Sequence, residues 1–250
     1  MITFVGAGPG APDLITLRGQ RAIAAADLII YAGSLVNPAL LEYRTEGCAV
    51  LDSAGMTLEE VVQAMAEAHA KNQRVVRLHT GDPSLYGAIR EQMERLEALG
   101  IPYDIVPGVS SFLGAAAALK AELTVPGISQ TVILTRMPGR TPVPEKEDIA
   151  GLAAHRASMA IFLSAAMLEE LAAKLISGGY AASTPAAIVH KATWADERIV
   201  RTSLEHLARD AREHGIAKTA MVLVGDFLGP EAERSRLYDP SFSHGYRDSN

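Results

Sequence analysis

Three times in its first 111 residues the chain drives an apolar, strand-like run straight into a turn of glycine and proline. The runs are Thr3-Phe4-Val5 into Gly6-Ala7-Gly8-Pro9-Gly10, the segment ending at His79 into Thr80-Gly81-Asp82-Pro83, and Asp104-Ile105-Val106 into Pro107-Gly108-Val109-Ser110-Ser111. A turn without Cβ atoms lets a backbone approach a ligand closely. Each turn taken singly is explained by a tight strand exit or a helix cap; Asp82 and Ser84 can both cap a helix that follows them. Together they point to strand ends gathered along one side of a sheet, where open α/β folds build ligand sites.

The first turn resembles a dinucleotide fingerprint and departs from it twice. Gly6 and Gly8 fit G-x-G-x-x-G, with Ala11 in the third place, but Pro9 removes an amide that could have faced a pyrophosphate. The next apolar run, Leu28-Ile29-Ile30-Tyr31, ends in Ala32-Gly33-Ser34, without the acid that would hold a ribose. A nicotinamide cofactor is therefore disfavoured.

Strand and helix patterns alternate along the chain, which predicts an α/β architecture. Thr16 caps a helix running to about Ala26, and Thr57-Leu58-Glu59-Glu60 is a capping box. Leu85, Ile89, Met93, Leu96 and Leu99 form one helix face, stopped by Gly100, and small residues from Ser111 to Leu119 form another helix. In the second half, strands are predicted at Thr131–Thr135, Ala160–Leu163, Ala187–His190, Arg198–Arg201 and Ala220–Val224. Helices are predicted from Met167 to Ile176 and from a Ser203 cap to near Gly215, and a proline-rich loop covers Arg136–Pro144. A domain boundary near 112–125 divides the chain into α/β domains at 1–115 and 116–250, with a polar tail from about 229 and the active-site cleft between the two domains.

Composition narrows the classes. A formal charge of −6 argues against nucleic acid as a partner. Cys48 is the only cysteine, which excludes an internal disulfide and suits a reducing cytoplasm. The apolar run Ala115–Leu119 is far too short to span a bilayer, and Met1–Phe4 enters the first strand without a cleavable signal.

Gly6–Gly10 with Leu14-Ile15-Thr16, then Gly81-Asp82-Pro83, then Val106–Ser111, resembles the tetrapyrrole (corrin/porphyrin) methyltransferases, the class III S-adenosylmethionine-dependent group, in order over roughly residues 1–228. Thr80–Gly87 and Thr135–Pro144 are similar to one branch of that family. That branch implies that carbon 11 of a partly methylated corrin precursor of cobalamin biosynthesis attacks the methyl group. The resemblance implies the two-domain tetrapyrrole methylase fold, S-adenosyl-L-methionine as cofactor, S-adenosyl-L-homocysteine as product and a cytoplasmic homodimer. It requires no metal and no covalent nucleophile.

By position, the resemblance implies cofactor contacts at Pro9, Asp82, Leu85, Ser110, Ser111, Leu163, Ala192, Thr219 and Ala220. Ser110-Ser111 stands where relatives usually carry Thr-Ala, Leu163 where they often carry Met, and Ala192 where they often carry Gly. A sulfonium ligand has no phosphate and suits carbonyls and one carboxylate such as Asp82. The macrocycle carries acetate and propionate groups, for which Arg136, Arg140, Arg18 and Lys191 are candidate partners, with a solvated loop as the competing reading. The macrocycle's own nitrogens can activate its carbon, so no catalytic base is assigned. His79 and His190 read as structural side chains, with proton handling as the alternative, and Tyr31 and Tyr86 as packing residues that could also stack on a flat ligand. Competing acceptors are a cobalt-bearing precursor and uroporphyrinogen III; competing classes are a nicotinamide oxidoreductase and a non-catalytic sensor.

Overall fold

The computed structural model describes residues 1–33, 35–230, 241–243 and 245–247; most of the tail expected from about 229 lies outside the described residues. Two compact units emerge, Met1–Gly114 with Ala192–Asp196, and Ala115–Lys191 with the chain from Glu197 onward.

The first unit holds a five-stranded sheet of β1 (Ile2–Gly6), β2 (Leu28–Tyr31), β3 (Ala49–Asp52), β4 (Val75–His79) and β5 (Tyr103–Val106), in the order β3-β2-β4-β1-β5. Every pairing is parallel. Crossovers run through α1 (Leu17–Ala24), α2 (Leu58–Ala70) and α3 (Arg90–Ala98), and α4 (Ser111–Leu119) follows β5. A parallel sheet is buried on both faces, so its strands must be apolar at odd and even positions alike. Ile2, Phe4 and Ile30 pack on one face with Val61, Met65 and Leu96 of the helices. Val5, Ile29 and Leu78 pack on the other with Ile23 of α1 and Leu40. Phe4 is fully buried, and cutting it to alanine would cost about 3–5 kcal/mol.

The second unit holds β6 (Val132–Arg136), β7 (Ser158–Phe162), β8 (Pro185–His190), β9 (Arg198–Ser203) and β10 (Ala220–Val224), in the order β6-β7-β10-β8-β9. Only β6 and β7 run parallel; the other pairs are antiparallel. Its helices α5 (Ile149–Ala153), α6 (Leu168–Ser177) and α7 (Leu207–Glu213) cover a core that includes Met159, Ile161, Leu171, Leu175, Ile188 and Val222. No helix among the described residues is long and apolar enough to cross a membrane.

Thr16 and the Thr57–Glu60 capping box do their expected work, each hydroxyl accepting an amide three residues on. Three expectations fail. α3 begins at Arg90, so Leu85 is not on its face and neither Asp82 nor Ser84 caps it. Leu99 follows that helix and stays 57% exposed. Ser203 makes no side-chain cap: a short 3-10 turn at Leu204–His206 separates it from α7. β3, with one half-buried and three exposed residues, and the one-turn α5 escaped the sequence reading, because neither carries enough apolar periodicity to register.

Candidate functional site

In a parallel sheet the strand ends of one edge fall side by side, and here that edge carries all three glycine turns. The amide of Gly8 donates to the Gly81 carbonyl (3.2 Å) and that of Gly81 to the Gly8 carbonyl (2.8 Å). The third turn closes on the other two. A Cβ placed on Gly6 would lie 2.5 Å from Gly108 Cα and 2.7 Å from the Gly81 oxygen. Gly8 (φ 79°) and Gly81 (φ 61°) need glycine for conformation, whereas Gly6 and Gly108 need it for space. The close approach read from the sequence is thus first an approach of backbone to backbone.

Asp82 locks this arrangement. One carboxylate oxygen accepts the Gly108 amide (2.8 Å), and the other accepts the Ser84 amide (2.8 Å) and hydroxyl (2.5 Å). Partial burial pushes its pKa up, but the hydrogen bonds from the Ser84 hydroxyl, the Gly108 amide and the Ser84 amide outweigh that and hold it below the usual value. Leu85, half-buried, closes the same turn by donating its amide to the Asp82 carbonyl (3.2 Å). Thr16 ties α1 in as well: its hydroxyl accepts the Gly19 amide (3.1 Å) and donates to the Pro107 carbonyl (3.4 Å).

Pro9 is buried, with Gly114 of α4 leaving it room: a Cβ there would sit 2.8 Å from the Pro9 Cβ. Ser110 and Ser111 open α4. Ser110 is only 4% exposed. Ala192 belongs to this same unit, its carbonyl 2.9 Å from where a Cβ on Gly10 would stand. Pro9, Asp82, Leu85, Ser110, Ser111 and Ala192 are therefore brought together at one sheet edge.

The other named residues lie in the second unit, also along one edge. Register sets Arg136 beside Phe162, and Ala220 beside His190. Leu163 follows Phe162, Thr219 precedes Ala220, and the Lys191 amide donates to the Thr219 carbonyl (2.9 Å). Leu163 (φ 53°), Lys191 (φ 49°) and Thr219 (φ 52°) all hold left-handed backbones. Such strain outside glycine is uncommon, clusters at ligand sites and is invisible to sequence patterning. It turns the Leu163 side chain out, 68% exposed.

The basic candidates fare unevenly. Arg136 spends its guanidinium on the carbonyls of Met137 (3.1 Å), Thr141 (3.2 Å) and Pro142 (2.8 Å), folding its own loop. Arg140 and Arg18 are exposed, and Lys191 is half-buried. His79 is buried beside Phe4, and among the described residues its Nε2 has no hydrogen-bond partner; burial, and secondarily the charge of Arg77, push its pKa down to about 3. It is a neutral core group. His190 is buried at the end of β8, with the Arg198 guanidinium 3.4 Å from its Nδ1.

The sequence reading missed Asn37 and Trp194, which hold the first turn. The Asn37 amide donates to the Gly10 carbonyl (2.9 Å) and the Trp194 indole to the Pro9 carbonyl (3.2 Å). A lone tryptophan and an Asn-Pro pair were the available signals.

A nicotinamide site fits poorly. A dinucleotide turn feeds directly into a helix whose amides take the pyrophosphate, but α1 starts only at Leu17, and the Gly8 amide is already engaged.

The sequence profile of the Tetrapyrrole (Corrin/Porphyrin) Methylases matches residues 1–208. A cobalt-precorrin-4 C(11)-methyltransferase of Methanocaldococcus jannaschii is 52% identical over 250 residues, covering 100% of this chain and 96% of that protein. A precorrin-4 C(11)-methyltransferase of Mycobacterium tuberculosis is 47% identical over 231 residues, 92% of each chain. Among solved structures, a cobalt precorrin-4 methyltransferase of cobalamin biosynthesis matches with a TM-score of 0.90 at 48% identity, covering 92% of this chain and 96% of that one. A Thermus thermophilus uroporphyrin-III C-methyltransferase complexed with S-adenosyl homocysteine matches with a TM-score of 0.75 at 25% identity, covering 93% and 95%. The chain belongs to the tetrapyrrole (corrin/porphyrin) methylase family.

Proposed function

We propose that the protein is an S-adenosylmethionine-dependent methyltransferase that methylates carbon 11 of precorrin-4 in cobalamin biosynthesis. The observation that carries this is 46% identity over 247 residues, 98% of each chain, with a protein of Pseudomonas aeruginosa named precorrin-4 C(11)-methyltransferase. A second reading, with the cobalt-bearing precursor as acceptor, is favoured by the 52% identical relative and the TM-score 0.90 structure, both named for cobalt-precorrin-4.

Bound S-adenosylmethionine supplies an already activated methyl group on a positive sulfonium. The protein's part is to bind, orient and exclude water. In this reading Pro9, Asp82, Leu85, Ser110, Ser111 and Ala192 of the first unit and Leu163, Thr219 and Ala220 of the second contact the cofactor. The turn backbones give a stiff wall, the Ser110 hydroxyl one polar partner, and Leu163 with Ala220 an apolar seat for a flat base. Domain 1–115 takes the tetrapyrrole and part of the cofactor, and domain 116–250 completes the cofactor site. Arg140, Arg18 and Lys191 meet the acceptor's carboxylates, and Arg136 presents the loop that carries Arg140. A cytoplasmic homodimer completes the proposal, with sedimentation as its check.

Two experiments test it. Calorimetry should find binding of S-adenosylhomocysteine and none of NAD; the reverse would end the cofactor reading. Incubation with methyl-labelled S-adenosylmethionine should then label both precorrin-4 and cobalt-precorrin-4 at carbon 11, the relative rates naming the natural acceptor. Label entering only uroporphyrinogen III would overturn the acceptor.

A further inference from the structure

The first glycine turn is held by more side chains than a strand exit needs. Three successive residues each place a backbone polar group on a side chain far away in sequence. The Pro9 carbonyl accepts the Trp194 indole N–H (3.2 Å), the Gly10 carbonyl accepts the Asn37 amide (2.9 Å), and the Ala11 amide donates to the Thr193 hydroxyl (2.9 Å). Asn37 is itself fixed, its carbonyl oxygen accepting the Ala39 amide (3.0 Å). The Trp194 ring lies so close on Gly10 that a Cβ there would stand 2.1 Å from its Cδ1. Thr193, a β-branched residue, is forced to φ 68° to take its place. Strain of that kind persists only where surrounding contacts over-determine it.

The chain departs from its own unit to build this. Residues on either side of Ala192–Asp196 belong to the second unit, yet those five residues belong to the first. The hydrogen bonds of Thr193 and Trp194 that fix the turn all fall on residues 9–11, the turn that carries Pro9.

We propose that Asn37, Thr193 and Trp194 are positioning residues for the adenosyl cofactor: together they hold Pro9-Gly10-Ala11 in the single shape that the cofactor meets, without touching the reacting atoms. This rests on the cofactor reading given above. With its carbonyls and the Ala11 amide occupied, the turn recognises its ligand by shape, and recognition by shape depends on rigidity. Loosening one brace lets the turn fluctuate, so the ligand must order it on binding.

The test is S-adenosylhomocysteine affinity in the full-length protein carrying Trp194→Phe, Asn37→Asp or Thr193→Val. Asn37→Asp and Thr193→Val keep shape, Trp194→Phe keeps an aromatic ring, and each removes one hydrogen bond to the turn. Losing one such bond should weaken binding about 3- to 10-fold. The KM for S-adenosylmethionine should rise in step, while the KM for the tetrapyrrole stays within about twofold. The Trp194→Phe and Asn37→Asp effects should be non-additive, because they act on adjacent peptides. A purely structural role would lower the melting temperature and leave the affinity of folded molecules unchanged. Unchanged affinity in every variant that melts cooperatively, or equal rises in both KM values, overturns the proposal. Failure of the unaltered protein to bind S-adenosylhomocysteine overturns the cofactor reading instead, and this proposal with it. Should Trp194→Phe fail to fold, Asn37→Asp and Thr193→Val decide the matter alone.

Discussion

Replacing Gly108 by alanine adds one methyl group where three backbones meet. Its Cβ would lie 2.2 Å from the Gly81 carbonyl oxygen and 2.7 Å from Gly6 Cα. A carbon rests about 3.3 Å from a carbonyl oxygen at closest comfort, so the third turn must retreat by about 1 Å. The obstacles are backbone atoms at the ends of β1 and β4, so no side chain can swing aside. The retreat breaks the bond from the Gly108 amide to Asp82 (2.8 Å) and disturbs the Gly8–Gly81 pair (2.8 and 3.2 Å). One charge-assisted bond at about 1.5–3 kcal/mol and two neutral bonds at about 1 kcal/mol each give a loss of about 3.5–5 kcal/mol. For a chain of this size that is a drop in melting temperature of about 7–20 °C. Affinity for S-adenosylhomocysteine should fall at least about tenfold, since Ser110 moves with the turn. Differential scanning calorimetry and a ligand titration read both. Gly55→Ala is the control, because a Cβ there meets nothing within 4 Å and should change neither quantity. A Gly108→Ala protein that melts within about 2 °C of the parent and binds normally would refute the close-packed turns.

Acid should act through His79. Its folded-state pKa, pushed to about 3, lies below the ordinary 6.5, so the unfolded chain takes the proton first. Stability is whole above pH 6.5 and drains as the pH falls from there towards 3, by about 2 kcal/mol between pH 7 and pH 5. Urea titrations at the two pH values should show that loss in the parent and a loss smaller by about this amount in His79→Gln; equal losses would show that the buried imidazole is not responsible. For the basic loop, Arg140→Ala should raise the tetrapyrrole KM without moving the KM for S-adenosylmethionine. Arg136→Ala, which frees the carbonyls of Met137, Thr141 and Pro142, should raise the same KM by loosening the loop. Unchanged steady-state kinetics would remove both residues from the site.

Much of the fold was legible because its signals are local. An apolar run of four or five residues ending in glycine reads as a buried parallel strand whatever surrounds it, and the hydroxyls of Thr16 and Thr57 cap helices within three residues of themselves. The same locality misled at Asp82. Asp82-Pro83-Ser84 before an amphipathic run is a sound cap signal, yet the carboxylate reaches the Gly108 amide, 26 residues away, and the helix waits until Arg90. At Arg136 the sequence shows the charge and not the three carbonyls that its loop folds around it.

The residues alone determined the two-part α/β organisation, the three strand-exit turns and the poor fit to a dinucleotide, because glycine, proline and apolar periodicity act within a few positions of themselves. Only the tertiary structure decided how those turns pack. It packed Gly6, Gly81 and Gly108 backbone to backbone, folded Trp194 onto a turn 185 residues away, and strained Leu163, Lys191 and Thr219 into left-handed backbones. Close approach, long-range hydrogen bonding and strain belong to pairs of distant segments, and no stretch of sequence carries them by itself.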